Sequence, residues 1–230
     1  SVTLYEHALA VTRGNYLAES YLGTALLNAR RLPEAEPHLR RAAALKPDFG
    51  PASTRLGYLL EEEGHPEQAA ACYAALLRLR PNFAEDNFDY GRLLLRQSRP
   101  AEALPRLEAA ERVRPDAETC DELGSALEQL GRPDEAMARY AEEARLQPGS
   151  GRGDYNRGVL RLDRGDVAGA RADFEAAATR DPSFAPPFAG LGQIAEQRGD
   201  RAGALADYRH ALELNPQDAG VRALLQQLEH

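Results

Sequence analysis

The sequence lacks a long apolar run, although a membrane-spanning helix needs roughly 20 such residues. It also shows no signal-peptide pattern, so we expect no direct insertion into a membrane. Basic residues are fewer than acidic ones, 28 against 36, which gives a formal net charge of −8. A chain of this charge has no general attraction to nucleic acid or to an anionic membrane. The composition therefore argues against nucleic acid as a partner.

Signatures of catalysis are missing as well. The five histidines show no metal-ligand spacing, and no serine or cysteine has the surroundings of a nucleophile elbow. The glycine-rich segment 149–153 is not followed by Gly-Lys-Ser/Thr, and no predicted strand precedes it. We therefore interpret it as a flexible turn and not as a phosphate-binding loop. The prediction is that this chain is not an enzyme and holds no cofactor and no metal.

What the sequence does contain is one unit repeated six times. Glycine, alanine and proline recur in one register with a period of 34 residues, shortened once to 33. The recurring residues are Gly23, Gly57, Gly91, Gly124, Gly158 and Gly192; Ala35, Ala69, Ala103, Ala136, Ala170 and Ala204; and Pro47, Pro81, Pro115, Pro148, Pro182 and Pro216. A period of this length with two helical segments per unit is typical of stacked-helix proteins.

Each recurring residue has a physical role in a pair of antiparallel helices. Glycine at repeat position 8 and alanine at position 20 are small where two helices approach closely, and larger residues at positions 7 and 24 fill the space beside them. Proline at position 32 ends the second helix because it lacks a backbone donor. Glycine at position 15, present in four repeats, suits a left-handed cap between the helices. Cys72 and Cys120 lie in different repeats, so we predict no disulfide.

This pattern resembles the tetratricopeptide repeat (TPR) family over nearly the whole chain. The resemblance implies an all-α fold, a right-handed superhelical TPR solenoid of helix-turn-helix repeats with no strands. We predict fourteen helices: one from a partial repeat, twelve in six pairs, and a terminal cap. The predicted repeats are 16–49, 50–83, 84–116, 117–150, 151–184 and 185–218.

Both ends of the chain differ from a full repeat. Residues 1–15 are predicted to be the second helix of a truncated repeat, because Tyr5 and Ala8 fall one period before matching residues of repeat one. We therefore expect the parent protein to continue upstream. Residues 219–230 are predicted to form a capping helix, and Leu228-Glu229-His230 resembles the remnant of a histidine tag.

The N-terminal segment carries a second resemblance, to the transmembrane-and-TPR-containing type of bacterial membrane protein. In that type a multi-pass, glycosyltransferase-like region precedes the TPRs. The resemblance lies in the run from Ser1 to Leu27, with His7-Ala8-Leu9-Ala10-Val11-Thr12, Asn15-Tyr16 and Leu22-Gly23.

In TPR proteins the first helices of the repeats line a concave groove. The resemblance therefore implies a groove that binds a protein or peptide. The candidate residues are Tyr21, Asn28, Arg55, Tyr58, Phe88, Asp89, Arg92, Arg96, Asp121, Glu122, Arg152, Tyr155, Asn156 and Gln193. Aromatic residues and arginine are enriched in binding hot spots. Because repeats two and three are basic and aromatic whereas repeat four is acidic, we expect a ligand of mixed charge, with its acidic part toward repeats two and three.

The predicted function is a non-enzymatic scaffold that binds a protein or peptide segment. Two alternatives remain open. In the first, the chain is the accessory, substrate-docking domain of a larger glycosyltransferase-like membrane protein. In the second, it is a homo-oligomerisation module. The first alternative places it on the extracytoplasmic side of a bacterial membrane, whereas a stand-alone scaffold is expected in the cytoplasm.

One junction breaks the repeat pattern. Position 27 is Ala or Leu except in repeat four, where it is Glu143. In repeat five, position 7 is Arg157 and position 11 is Arg161. We expect Glu143 to form a partly buried ion pair with one of these arginines. Together with the glycines that enter repeat five, this predicts a deformable joint between repeats four and five.

Overall fold

A computed structural model describes residues 2–229 of the chain. Ser1 and His230, the outermost residues of the predicted segments 1–15 and 219–230, lie outside the described residues. The described part contains fourteen α-helices and no strand. The all-α prediction is thus confirmed. The helices are α1 Val2–Val11, α2 Tyr16–Asn28, α3 Leu32–Leu45, α4 Gly50–Glu62, α5 Pro66–Leu79, α6 Ala84–Arg96, α7 Pro100–Val113, α8 Ala117–Gln129, α9 Pro133–Leu146, α10 Arg152–Asp163, α11 Val167–Arg180, α12 Pro186–Gln197, α13 Arg201–Leu214 and α14 Ala219–Glu229.

The chain forms two compact units, unit one up to Pro115 and unit two from Asp116 onward. Unit one contains the helix pairs α2–α3, α4–α5 and α6–α7, with α1 packed on α2. Unit two contains the pairs α8–α9, α10–α11 and α12–α13, with α14 packed on α13. Within a unit, the second helix of each pair packs on the first helix of the next pair.

The repeating glycine lets the two helices of a pair approach closely. A Cβ atom on Gly57 would lie 2.7 Å from Cζ of Tyr73, and one on Gly91 would lie 2.6 Å from Cγ of Leu107. The six recurring alanines are all 0% exposed. The close approach expected at these positions is therefore present, and a side chain at the glycine would displace the large residue at position 24.

The proline and the left-handed cap behave as the repeat pattern predicts. The second helix of each pair ends two residues before the recurring proline, as at Leu45 before Pro47. Position 15 has a positive φ in all six repeats, although only four of them have glycine there. The other two are Arg30, with φ 60°, and Ser98, with φ 55°. The geometry of the turn is thus kept even where the residue does not favour it.

The glycines that enter repeat five have a different role from the one predicted. Only Gly149 has open space around it. A Cβ atom on Gly151 would lie 2.6 Å from the carbonyl oxygen of Ala177, and one on Gly153 would lie 2.8 Å from the backbone nitrogen of Ala144. Interpreting 149–153 as a flexible turn was therefore wrong for Gly151 and Gly153. These two glycines permit close backbone packing, so they give no support to a deformable joint.

The last helix covers the final repeat with apolar residues. Val221 is 6% exposed and packs against a buried cluster that includes Tyr208 and Ala211. Leu224, Leu225 and Leu228 extend the same contact. Glu229, at the end of α14, pairs with Arg209 at 2.7 Å.

Candidate functional site

The predicted binding residues lie on the first helices of the repeats, which form one surface in each unit. In unit one this surface consists of α2, α4 and α6, and we call it surface one. In unit two it consists of α8, α10 and α12, and we call it surface two. Neighbouring first helices contact each other directly at α2–α4 and at α10–α12.

Surface one exposes two tyrosines. Tyr21 is 51% exposed and its ring stacks on Tyr5 with 5.5 Å between the centroids. Tyr58 is 40% exposed and donates its hydroxyl to Oε1 of Glu62 at 2.8 Å. That hydrogen bond lowers the pKa of Glu62 and raises the pKa of Tyr58. Glu62 also pairs with Arg30, in the turn that follows α2, so the carboxylate beside Tyr58 is held from two directions.

Three arginines of surface one differ in whether they already form an ion pair within the protein. Arg92 pairs with Asp89 at 3.3 Å and lies over the ring of Phe88. Arg96 pairs with Glu61 of α4, and Tyr73 donates its hydroxyl to the same carboxylate at 3.0 Å. Arg55 is exposed and forms no hydrogen bond or ion pair with any residue among 2–229. Arg55 is therefore the arginine of surface one that is most available to a ligand.

Burial changes the role of two other predicted residues. Phe88 is 6% exposed, so its ring belongs to the core and offers little area to a ligand. Asp89 is half-buried, and burial raises its pKa to about 6 although Arg92 acts in the opposite direction. Asn28, by contrast, lies exposed at the end of α2.

Surface two brings three predicted residues together. The NH1 group of Arg152 lies 3.1 Å from Oδ2 of Asp121, and Nδ2 of Asn156 donates to Oδ1 of Asp121 at 2.9 Å. These contacts join α8 to α10. Glu122 is half-buried on α8, whereas Gln193 lies apart from this group as an exposed residue of α12.

Tyr155 has a structural position on surface two. Its ring packs against Phe174 and Phe184 at centroid distances of 5.7 and 5.5 Å. Burial raises the pKa of its hydroxyl. Tyr155 therefore contributes mainly to packing within repeat five, and only part of it remains exposed.

The predicted ion pair of Glu143 is absent. Arg157 instead pairs with Asp173 at 2.5 Å and with Asp154 at 2.9 Å, and Arg161 pairs with Asp173 at 2.8 Å. No ion pair joins Glu143 to either arginine in the part of the chain that the structure describes. The arginines take carboxylates from their own repeat because these lie on the same helix or on its paired helix.

Glu143 is left buried in an acidic environment. It is 3% exposed, and its Oε2 atom has no hydrogen-bond partner among the described residues. Burial raises its pKa to about 8. Asp121 and Asp154 also raise this pKa, whereas Arg152 lowers it.

Residues 2–229 show neither a metal-binding cluster nor a membrane-spanning helix. No group of three or more His, Cys, Asp or Glu residues there could hold a metal ion. None of the helices in that range is long and apolar enough to cross a membrane.

Comparison with known proteins identifies the family. The tetratricopeptide repeat profile matches residues 54–118, 88–151, 122–186 and 186–218. Together these matches cover more than half of the chain. The chain belongs to the tetratricopeptide repeat family.

One curated relative and several solved structures resemble this TPR chain. Protein FlbA of Caulobacter vibrioides is 34% identical over 137 residues, which are 59% of this chain and 23% of FlbA. The chain thus spans less than a quarter of that relative's length. The solved structure of Pseudomonas aeruginosa pilF has a TM-score of 0.74 at 21% identity, covering 92% of this chain and 97% of that one.

Two further solved structures share the TPR fold. A tetratricopeptide repeat protein from Parabacteroides merdae has a TM-score of 0.71 at 19% identity, covering 100% of this chain and 90% of that one. YrrB, described as a TPR protein with an unusual peptide-binding site, has a TM-score of 0.62 at 20% identity, covering 82% of this chain and 97% of that one. At these identities the likeness shows the fold alone.

The TPR pattern also left some residues on or beside surface two unnoticed. Glu118, Gln147 and Ser150 line a cavity with Asp121 and Glu143, although none of the first three was a predicted binding residue. The one signal in the sequence was Glu143 itself, which stands where other repeats have Ala or Leu. An acidic residue at a core position indicates either a buried pair or an unusual environment, and the structure shows the latter.

Proposed function

We propose that this TPR chain is a non-enzymatic scaffold that holds a peptide or protein segment on its first-helix surfaces. The observation that carries this proposal is the exposed Arg55–Tyr58 pair of surface one. The two residues lie three apart on α4, so they are neighbours on one helix face. Arginine and tyrosine are residue types that dominate binding energy at protein interfaces. The peptide-binding site named for YrrB adds support from a protein of the same fold.

The charge of Arg55 specifies what the ligand brings to surface one. Because the guanidinium group has no ion pair among residues 2–229, it retains all its donors for a ligand. An aspartate or glutamate side chain, or a C-terminal carboxylate, would bind it in a bidentate manner. The ligand therefore presents an acidic group at Arg55 and an apolar or aromatic side chain at Tyr58.

The test is a peptide-binding measurement with a matched control. A displayed library of random peptides is selected against the full chain, and the enriched peptides are then titrated by fluorescence anisotropy. We expect Arg55→Glu and Tyr58→Ala each to weaken binding by about tenfold or more, as hot-spot residues do. Arg78→Glu, on the second helix of the same repeat, makes the same charge change at an exposed residue and should leave affinity unchanged. Equal affinity for Arg55→Glu, Tyr58→Ala and the unmodified chain would refute the proposal.

A second candidate function is homo-oligomerisation, and an apolar strip in unit one favours it. Leu45, Leu79 and Val113 end the second helices of repeats one to three and are 47%, 55% and 55% exposed. They recur one repeat apart, so they lie on equivalent places of the unit. Light scattering of the full chain tests this candidate: a dimer that dissociates on Leu79→Glu supports it, and a monomer at all concentrations rejects it.

The accessory-domain alternative is favoured by the comparison with FlbA, since the matched region is only 23% of that protein. A docking module in a longer polypeptide would use the same two surfaces. Determining the sequence upstream of Ser1 tests this alternative, which requires a multi-pass membrane region there.

A further inference from the structure

A cavity of about 290 Å³ lies at the edge of surface two, between the start of α8, the end of α9 and the start of α10. Its polar lining consists of Glu118, Asp121, Glu143, Gln147, Ser150 and Arg152. Three of these six residues are acidic and one is basic. The side chains of the lining therefore include more acidic than basic groups. The C-terminal end of α9 adds partial negative charge, whereas the N-terminal ends of α8 and α10 bring partial positive charge.

Glu143 gives this cavity a feature that a surface acidic patch lacks. It is the one buried residue in the lining, at 3% exposed, and its Oε2 atom has no hydrogen-bond partner among residues 2–229. A buried carboxyl oxygen without a partner costs free energy, because it has lost its contact with water and gained nothing in return. A cationic donor that enters the cavity would remove this cost.

The geometry distinguishes between kinds of cation. Both oxygens of Asp121 already accept hydrogen bonds, one from Arg152 and one from Asn156. The unsatisfied atom is thus the single Oε2 of Glu143. A guanidinium group is best matched by two parallel acceptors, whereas an ammonium group is a compact charge with three donors that can point in different directions.

We propose that this cavity is a subsite for an alkylammonium group, supplied by a lysine side chain of the bound peptide. The ammonium donates one hydrogen bond to Oε2 of Glu143 and lies within reach of the second lone pairs of Asp121. This inference rests on the proposed function, because it takes the carrier of the ammonium group to be a peptide. It adds that a ligand long enough to occupy surface two bears a lysine there.

The first arm of the test uses a small probe, so it does not depend on finding the peptide. Nα-acetyl-lysine N-methylamide is titrated into the full chain, and binding is followed through the amide resonances of Gly149, Ser150 and Gly151. We expect saturable shifts at these amides. The Nε-acetylated form of the probe, which lacks the charge, should cause none. The arginine analogue should bind several-fold more weakly, since only one acceptor is open.

Variants connect the probe to Glu143. At about pH 9, where Glu143 is ionised, Glu143→Gln should weaken binding of the lysine probe about tenfold or more, because the variant removes a buried charge contact. The matched control is Glu142→Gln, which removes the same charge one residue away, outside the cavity. It should leave binding unchanged. Gln147→Trp provides a second variant, because it fills the cavity from an exposed position without altering Glu143. It should abolish binding.

The results that would overturn the subsite are equally specific. Equal shifts with the charged and acetylated probes, or equal affinity in Glu143→Gln and the unmodified chain, exclude an ammonium contact at Glu143. Tighter binding of the arginine analogue, or displacement of the probe by millimolar Mg²⁺ or Ca²⁺, also rejects the assignment. A failure of the peptide assay on surface one leaves this probe result standing, so the two proposals can fail separately.

Discussion

Removing the charge of Glu143 without changing its size should stabilise the protein at alkaline pH. Glu143 is 3% exposed, its Oε2 atom has no partner among the described residues, and burial raises its pKa to about 8. Glu143→Gln keeps the shape of the side chain and supplies an amide that has no charge to bury. We therefore expect the variant to differ in stability from the unmodified protein only at pH values where Glu143 is ionised in at least one of the two states, folded or unfolded.

The sign and size of the expected stability difference follow from proton binding by Glu143. The folded-state pKa of about 8 lies above the usual 4.5, so between these values the native state holds a proton that the unfolded chain has released. The free energy of unfolding therefore falls as the pH rises through this range, by at most about 1.4 kcal/mol per pH unit. The full difference corresponds to an upper limit of about 5 kcal/mol. Relaxation and water entry reduce such costs, and we expect roughly 2 kcal/mol at about pH 9.

The measurement compares urea unfolding of the two proteins at about pH 5 and about pH 9. At the lower pH, Glu143→Gln and the unmodified protein should have nearly equal stability, and at the higher pH the variant should be more stable. Glu142→Gln is the control, since Glu142 pairs with Arg145 at 2.6 Å and its pKa is lowered by that hydrogen bond. A ¹³C NMR titration of the Glu143 carboxyl gives its pKa directly. Parallel stability curves for Glu143→Gln and the unmodified protein, or a carboxyl titrating near 4.5, would refute the reasoning.

Two further predictions concern the backbone. Ser98→Gly should stabilise the protein by about 0.5–1 kcal/mol in urea unfolding, because Ser98 has φ 55° and a non-glycine residue is strained there. The control is Gln97→Gly, at the preceding residue with φ −83°, which should destabilise the protein. Equal effects of the two substitutions would contradict this explanation. Gly153→Ala should cost about 2 kcal/mol or more, because its Cβ atom would collide with the backbone of Tyr140. Gly149→Ala, in open space, should be nearly neutral, and a similar loss in both variants would show that backbone freedom, and not packing, is what the glycines provide.

The fold could be predicted because its periodic residues have local physical roles. Glycine at position 8 faces a large residue at position 24, as Gly91 faces Leu107. The recurring glycine therefore indicates a close contact between the two helices of each repeat. Proline at position 32 ends a helix by its own chemistry, whatever surrounds it. The left-handed backbone conformation of Ser98 could not be predicted, because a turn position of this kind is recognisable in the sequence only when glycine occupies it.

The partners of charged residues could not be predicted in the same way. The repeat period placed Glu143 and Arg157 on adjacent helices, but Asp154 and Asp173 were equally close candidates for the arginine. A guanidinium group pairs with the carboxylates whose geometry fits it best, and that depends on side-chain conformations and not on spacing. The burial of Phe88 could not be predicted for a related reason: its repeat position indicated the groove, whereas its side chain is only 6% exposed.

Two ion pairs that join neighbouring repeats of unit one have a separation close to the period. Arg30, in the turn after α2, and Glu62 of α4 are 32 residues apart, and Glu61 of α4 and Arg96 of α6 are 35 apart. Each pair joins two neighbouring repeats of unit one.

Such pairs neutralise much of the charge that the sequence suggests for surface one. The residue one period after Arg55 is Asp89, but Asp89 pairs with Arg92 at 3.3 Å. Arg55 is therefore left exposed because the carboxylate at the matching place has a nearer partner. On a repeat surface of this kind, ligand specificity depends less on the number of charged residues than on which of them lack a partner one repeat away.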